Sequence, residues 1–202
     1  MMGEAHPADQ LVELAAHDPA WAGRFAEQRD RLTDILGDLL AAAVEHIGST
    51  AVVDLPAKPV VDLLAPVHDL DAARGAVPAL AADGWLYWPQ DPAGRYRLWF
   101  LRPHPAARTH HLHVIAYDDP QARALLAFRD ALRADADLRG RYAQLKRRLA
   151  AAHRDNRNAY TNAKGVFIDE ALRAVGIDPP HREVLPEEVL PEEAARPTIL
   201  DP

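Results

Sequence analysis

The sequence predicts an α+β domain in which a mixed β-sheet carries helices mainly on one side and the C-terminal half is helical. Three observations support this fold class. Short apolar runs of strand length occupy the middle of the chain, apolar residues at helical spacing precede and follow them, and the last third shows only helical spacing. With 202 residues and a hydrophobic fraction of 49%, the chain is long enough for one well-buried core.

The N-terminal half alternates between the two patterns. The apolar run LVELA at 11–15 suits an edge strand, and a His-Asp-Pro sequence then interrupts it. Asp18 can cap a helix that has Pro19 at its first position, and apolar residues recur at helical spacing as far as Leu40. The expected elements are an edge strand at 11–15, a helix at 19–40, strands at 41–47 and 59–67, and a helix at 71–82 that Gly84 closes.

The second half begins with three further strands and ends in helices. Residues 89–94, PQDPAG, form a turn-rich loop between the first two of these strands. Leucine and aromatic residues at helical spacing fill the remainder as far as Gly176, which ends the last helix. The expected strands span 85–88, 95–102 and 109–117, and the expected helices span 120–134, 137–153 and 156–175.

Composition excludes several classes of protein. Cysteine is absent, which rules out disulfides, thiolate zinc sites and cysteine nucleophiles. No apolar run approaches the roughly 20 residues of a membrane helix, and the first ten residues lack a basic region followed by an apolar one. We therefore expect a cytoplasmic protein without a membrane partner.

Charge is unevenly distributed along the chain. The formal net charge is −7, and residues 177–202 hold seven acidic residues against two arginines. This proline-rich segment has too few apolar residues for a core of its own. We predict that it is a tail, mobile or laid across the surface, attached to a domain formed by residues 1–176. Neither part has the basic surface of a nucleic-acid-binding protein, which argues against nucleic acid as a partner.

The stretch VEHIGSTAVVDLPAKPVVDLLAP at 44–66 contains the strongest candidate site. The Gly48-Ser49-Thr50 turn follows a predicted strand and presents backbone N–H groups and a hydroxyl, a common arrangement for binding phosphate. Asp62 is the one charged residue of the next strand, where period-two alternation places Leu64 on the same face. A buried carboxylate needs a cation, a metal ion or several donors, so a structural ion pair is the alternative to a functional role.

Lysines and histidines add candidates to this site. Lys58 lies between the turn and Asp62, and only two other lysines, Lys146 and Lys164, occur among 23 basic residues. Retention of lysine in such a chain indicates a place where a compact ammonium group is needed. In the strand at 109–117, the side chains of residues 111 and 113 share one face. Two such histidines can bind a metal ion or an anion, or simply form a hydrogen-bonded pair without a ligand.

Several motifs together resemble one known family. They are HIGSTAV, AKPVVDL, HHLHV, FRDALR, YAQLKRRLA and AYTNAKGVFI, and they run in order between about residues 11 and 175. The sequence resembles the GrpB family, also called UPF0157, which belongs to the nucleotidyltransferase-like superfamily. The resemblance implies a nucleotidyltransferase-like fold in which Gly48-Ser49 matches the superfamily's small-residue pair and Asp62 matches its first acid. Leu64 stands where a second acid is expected, and the strand that would supply a third offers His111 and His113.

Two functions follow from these residues. The first is binding of a phosphorylated small molecule or nucleotide with an incomplete catalytic ligand set, because two-metal catalysis needs several carboxylates. The second is an active metal-dependent nucleotidyl or phosphoryl transferase, with Asp62 and His113 catalytic and one divalent cation, Mg, Mn or Zn, held by Asp62, His111 and His113. A purely structural role is a third alternative. The residues expected to hold the phosphorylated ligand are Gly48, Ser49, Thr50, Lys58, Lys146 and Lys164.

Overall fold

A five-stranded mixed sheet lies at the centre of the fold. The computed structural model describes residues 11–105 and 107–186. The strands are β1 (Glu45–Ile47), β2 (Val61–Val67), β3 (Leu86–Tyr87), β4 (Arg97–Arg102) and β5 (His110–Ala116). The helices are α1 (Ala20–Leu36), α2 (Leu70–Ala73), α3 (Val77–Ala82), α4 (Pro120–Ala134), α5 (Ala136–Ala152), α6 (Arg157–Asn162) and α7 (Gly165–Ala174). The sheet order is β1-β2-β5-β4-β3, with β2 and β5 parallel and the other neighbours antiparallel. The predicted α+β class with a mixed sheet is confirmed.

The two faces of the sheet differ in polarity. Alternate residues of β2 and β5, including Leu63 and Leu112, belong to the main hydrophobic core beneath α1, α2 and α3. On the opposite face, Ile47, Leu64 and Ile115 form a smaller apolar cluster with α4. Helices therefore lie against both faces, which corrects the predicted arrangement with helices mainly on one side. The rest of this second face is polar and carries the candidate site.

Capping residues explain where several helices begin. The Asp18 carboxylate accepts a hydrogen bond from the N–H of Ala20 at 2.9 Å, as the Asp-Pro sequence predicted. Asp119 and Asp135 cap α4 and α5 in the same way, because a short acidic side chain satisfies an N–H group that has no partner within the helix. Among the described residues, no helix is long and apolar enough to cross a bilayer.

Some boundaries predicted for the N-terminal half are wrong. The segment 11–15 forms a single bridge, between Ala15 and Ala57, and not a strand. The first helix ends at Leu36 because Gly37 has a φ of +46°, a conformation that stops a helix. The strand predicted at 41–47 is reduced to β1.

Other predicted elements are shortened or divided. The strands at 85–88 and 95–102 are reduced to β3 and β4, and the helix at 71–82 is divided by a 3-10 turn at Arg74–Ala76. The helix at 156–175 divides into α6 and α7, with Gly165 at the start of the second. Gly75 and Gly165 lie at these two interruptions, and glycine is a weak helix former because it loses the most backbone entropy on folding.

Residues 177–186 run across the surface of α6 and α7. The Asn162 side chain accepts a hydrogen bond from the backbone N–H of Leu185 at 3.0 Å and donates one to its carbonyl at 2.9 Å. Arg182 pairs with Asp169 of α7 at 2.7 Å. These contacts fit a segment laid across the surface. The remainder of the predicted acidic tail, residues 187–202, lies outside the described residues.

Candidate functional site

Gly48 and Asp62 meet at the end of the β1–β2 pair. Ile47 is the register partner of Asp62, so the chain turns at Gly48 directly beside the carboxylate. Gly48 has φ +69° and ψ −170°, a region that is essentially restricted to glycine. A Cβ atom added to it would lie 2.5 Å from Asp62 Oδ2. A 3-10 turn, Ser49–Ala51, follows Gly48.

Asp62 contacts both predicted histidines. Its Oδ1 atom accepts a hydrogen bond from His111 Nδ1 at 2.9 Å and lies 3.8 Å from His113 Nε2. Burial lowers the pKa of His111 to about 3 and also lowers the pKa of His113, so both rings are neutral at pH 7. Burial alone raises the pKa of Asp62, but its contacts with the two histidines outweigh this and hold the pKa well below its usual range. Asp62 is therefore an ionised carboxylate between two neutral imidazoles.

Arginines fix the tautomers of these histidines. Arg157 approaches His111 Nε2 at 3.3 Å, and Arg97 approaches His113 Nδ1 at 3.1 Å. Because arginine can only donate, each of these nitrogens accepts, and the ring proton lies on the nitrogen that faces Asp62. Arg97 is held in turn by a bidentate ion pair with Asp91, with distances of 2.5 and 2.8 Å.

This donor set does not fit the predicted divalent cation. A histidine binds metal through a nitrogen lone pair, but the lone pair of His111 faces Arg157 and that of His113 faces Arg97. Both arginine side chains would also repel the ion. Among residues 11–105 and 107–186, no group of three or more histidine and carboxylate side chains is placed to hold a metal ion. The arrangement instead positions Asp62 within a positively charged environment.

Lys58 and Lys164 both contact the ring of Tyr160, a residue that is 1% exposed. Their Nζ atoms lie 5.3 and 4.4 Å from its centroid, respectively. Burial, together with the charge of Arg157, lowers the pKa of both lysines, that of Lys164 to about 8. The charge of Asp62 raises both pKa values and only partly offsets this effect. The two lysines thus lie close enough to Arg157 for its charge to disfavour their protonation.

Lys146 contacts the side chain of Ser49. It projects from α5, is 1% exposed, and its Nζ atom lies 3.0 Å from Ser49 Oγ and also contacts the carbonyl of Pro56. Burial and the nearby Lys164 lower the pKa of Lys146 to about 7. A ligand in the site would meet Ser49 first and Lys146 behind it.

Positive charge exceeds negative charge around Asp62. Arg108 is half-buried over Trp99, and burial and the charge of Arg157 lower its pKa to about 9. We call the five residues Lys58, Lys146, Lys164, Arg108 and Arg157 the cationic cluster. Within the part of the chain that the structure describes, none of the five forms an ion pair with a carboxylate. Their lowered pKa values follow from burial without a counter-ion.

The structure brings most of the residues predicted from sequence close together, and Thr50 differs in role. Those that lie near one another are Gly48, Ser49, Lys58, Asp62, His111, His113, Lys146 and Lys164. The hydroxyl of Thr50 is instead bound to His46 Nε2 at 3.0 Å and its side chain is buried, so Thr50 can offer only its backbone to a ligand. Leu64 is fully buried in the apolar cluster beneath α4 and occupies no part of the polar site.

The arginines and aromatic residues of the site were not among the residues predicted from sequence. Arg157 and Tyr160 are spaced i, i+3 on α6, and Lys164 follows four residues after the tyrosine. This spacing places side chains on one helical face and was a usable signal. Nothing in the sequence indicated Arg108 or Trp99, because their approach to the site depends on how a loop and β4 pack in three dimensions.

Comparisons with known proteins identify the family. A model of the family described as GrpB protein matches residues 11–174. The UPF0157 protein PA4798 of Pseudomonas aeruginosa is 38% identical over 168 residues, which cover 81% of this chain and 67% of that protein. The UPF0157 protein YqkA of Bacillus subtilis is 34% identical over 160 residues, and the match covers 79% of this chain but only 46% of the length of YqkA. The crystal structure of the conserved protein GrpB from Enterococcus faecalis superposes with a TM-score of 0.72 at 32% identity, covering 81% of this chain and 99% of that one. The chain therefore belongs to the GrpB family.

Proposed function

We propose that the protein binds a phosphorylated small molecule or nucleotide at the cationic cluster. The observation that carries the proposal is the clustering of all three lysines of the chain with Arg108 and Arg157, close enough for these cations to lower one another's pKa values and beside Asp62, a carboxylate that is already hydrogen-bonded to His111. The formal net charge of the whole chain is −7, so this local excess of positive charge is opposite in sign to the charge of the chain as a whole. A bound phosphate dianion would supply the counter-ions that the cluster lacks.

Burial strengthens this argument. Lys58, Lys146 and Lys164 all have lowered pKa values because their charged forms are desolvated and close to other cations. Holding them there disfavours folding at neutral pH unless an anion compensates. Sites of this kind are more often functional than structural, since a purely structural cluster is normally paired with carboxylates.

The metal-dependent transferase has less support. It would use Asp62 with His111 and His113, but the histidine lone pairs face arginines and Leu64 replaces the second acid. In the binding proposal Asp62 orients the two histidines, and its single negative charge offsets only part of the positive charge of the cationic cluster.

Titration calorimetry and thermal shift in a phosphate-free buffer test the proposal. The probes are inorganic phosphate, nucleoside mono- and triphosphates, coenzyme A precursors and sugar phosphates. A ligand at a hundredfold excess over its Kd should stabilise the protein by about 2.7 kcal/mol. Arg157→Met should weaken binding at least tenfold. Arg148→Met, which removes an exposed charge on α5, is the matched control and should change affinity less than twofold.

Asp62→Asn separates the two functions. Under the binding proposal, the substitution removes the negative charge of Asp62 and should tighten binding of phosphate severalfold, an effect on the order of 1 kcal/mol for a partly screened charge. Under the transferase alternative, it should abolish metal-dependent affinity or turnover. Absence of stabilisation by every phosphorylated probe, or equal affinity in wild-type protein and Arg157→Met, would refute the proposed function.

A further inference from the structure

Ser49 and Lys146 form a pair of side chains with the geometry of a nucleophile and its base. Ser49 is the only serine in the 202-residue chain, and Lys146 is one of only three lysines. Their Oγ and Nζ atoms lie 3.0 Å apart, although the residues are 97 positions apart in sequence. We propose that Ser49 is a nucleophile, that Lys146 is its general base, and that the pair attacks phosphoryl electrophiles.

The surroundings of Lys146 favour an uncharged amine. Its Nζ atom has two described polar contacts, the Pro56 carbonyl and Ser49 Oγ. A neutral amine can donate one hydrogen to the carbonyl and direct its lone pair at the serine hydroxyl. A permanently charged ammonium could only donate to Ser49 and would not activate it.

Charged groups near Lys146 also favour its uncharged form. Lys164, at the start of α7, and Arg147, on the same helix, both disfavour its protonation, and the Tyr142 ring lies 5.0 Å from Nζ. Tyr142 is itself buried and burial raises its pKa, so it stays neutral and supplies no negative charge. With a pKa of about 7, Lys146 is close to the value at which a general base is most effective at neutral pH.

Ser49 can be reached by a small electrophile. Its side chain is half-buried, and the preceding Gly48 is exposed. The choice of a phosphoryl electrophile rests on the proposed anion site, because Lys164 and its neighbours would hold phosphoryl oxygens beside the hydroxyl. In the step, the Ser49 Oγ–P bond forms, the bond from phosphorus to the leaving group breaks, the hydroxyl proton passes to Lys146 Nζ, and the leaving group departs with its electron pair.

An alkyl fluorophosphonate tests the pair directly. Its fluoride is the leaving group, so reaction adds the phosphonyl group to Oγ and releases fluoride, and intact mass followed by peptide mapping locates the adduct. We expect one adduct, on Ser49, at a rate that rises with pH and levels off above the pKa of Lys146. Lys146→Met should lower the rate about 100-fold, in the range typical of losing a general base. Arg148→Met should leave it unchanged.

Several outcomes would overturn the inference. These are an unreactive wild-type protein, an adduct on a threonine or tyrosine in place of Ser49, a rate that is independent of pH between 5 and 9, or Lys146→Met reacting as fast as wild type. If Lys146→Met fails to fold, the mapped site and the pH profile of the wild-type protein decide alone. Phosphate affinity is measured separately on the same preparation. If the protein shows no measurable affinity for phosphate but Ser49 is still labelled, the proposed function is refuted and the inference about Ser49 and Lys146 stands.

Discussion

Replacing Gly48 with alanine should destabilise the protein more than a substitution at any other described glycine. Two effects combine. The backbone of Gly48 lies in a region where a non-glycine residue costs about 1–3 kcal/mol. The added Cβ would also lie 2.5 Å from Asp62 Oδ2, so the carboxylate must move and lose its hydrogen bond from His111. A hydrogen bond to a charged group contributes about 1.5–3 kcal/mol, which together with the backbone cost gives a total of about 2.5–6 kcal/mol.

Urea unfolding monitored by tryptophan fluorescence measures this loss, and two glycines separate its causes. Gly176 has a φ of +78° but nothing within 4 Å of an added Cβ, so Gly176→Ala tests backbone strain alone, worth about 1–2 kcal/mol. Gly75 has neither feature, and Gly75→Ala should be neutral or slightly stabilising. In an Asp62→Ala background, Gly48→Ala should cost about 2 kcal/mol less than in wild type. The reasoning is refuted if Gly48→Ala is no more destabilising than Gly176→Ala, or if the Asp62→Ala background changes nothing.

Three further predictions concern the surroundings of the site. Arg97→Met leaves the buried Asp91 without its partner and should cost about 3–5 kcal/mol in urea unfolding, whereas Arg97→Met with Asp91→Leu should cost much less; equal losses would contradict the buried ion pair. Between pH 7 and about 9, Lys146 and Lys164 bind more protons in the unfolded chain than in the folded one, because their folded pKa values are about 7 and 8, so stability in phosphate-free buffer should rise with pH across that window. A stability that does not change with pH would contradict this prediction, and Lys146→Met should reduce the rise in stability. Asn162→Ala removes the two hydrogen bonds between this side chain and Leu185 and should speed proteolysis of the segment 177–186 severalfold, with a stability loss of only about 1–2 kcal/mol; an unchanged cleavage rate would contradict the contact.

Sequence patterns located the central strands well because those strands are continuous apolar runs. β2 and β5 lie within one or two residues of their predicted ends, and period-two alternation places Asp62 with Leu64, and His111 with His113, on one face of their own strands; the register that sets Asp62 beside His111 was not predicted. The strand predicted at 11–15 is wrong for a physical reason. A short apolar run predicts burial, but whether it forms a ladder depends on a partner strand, and the structure gives Ala15 only a single bridge.

The polar site was predicted only in part. Gly48, Lys58 and Asp62 lie within 15 residues of one another in sequence, so local pattern brought them together. Lys146 was selected by its rarity, and its pairing with Ser49 could not be predicted, because α5 packs against the β1–β2 connection from 97 residues away. The poor fit of the two histidines to a metal ion also required three dimensions, since it depends on which nitrogen of each histidine faces an arginine.

The gathering of every lysine at one site makes the chain suited to a spectroscopic measurement. Reductive methylation with ¹³C-formaldehyde labels amino groups, and apart from the α-amino group this chain has only Lys58, Lys146 and Lys164 to label. A carbon–proton spectrum would therefore contain three side-chain signals, all from within the proposed binding site. Their chemical shifts would report three titration curves, and any molecule that enters the site would move them without a background of surface lysines.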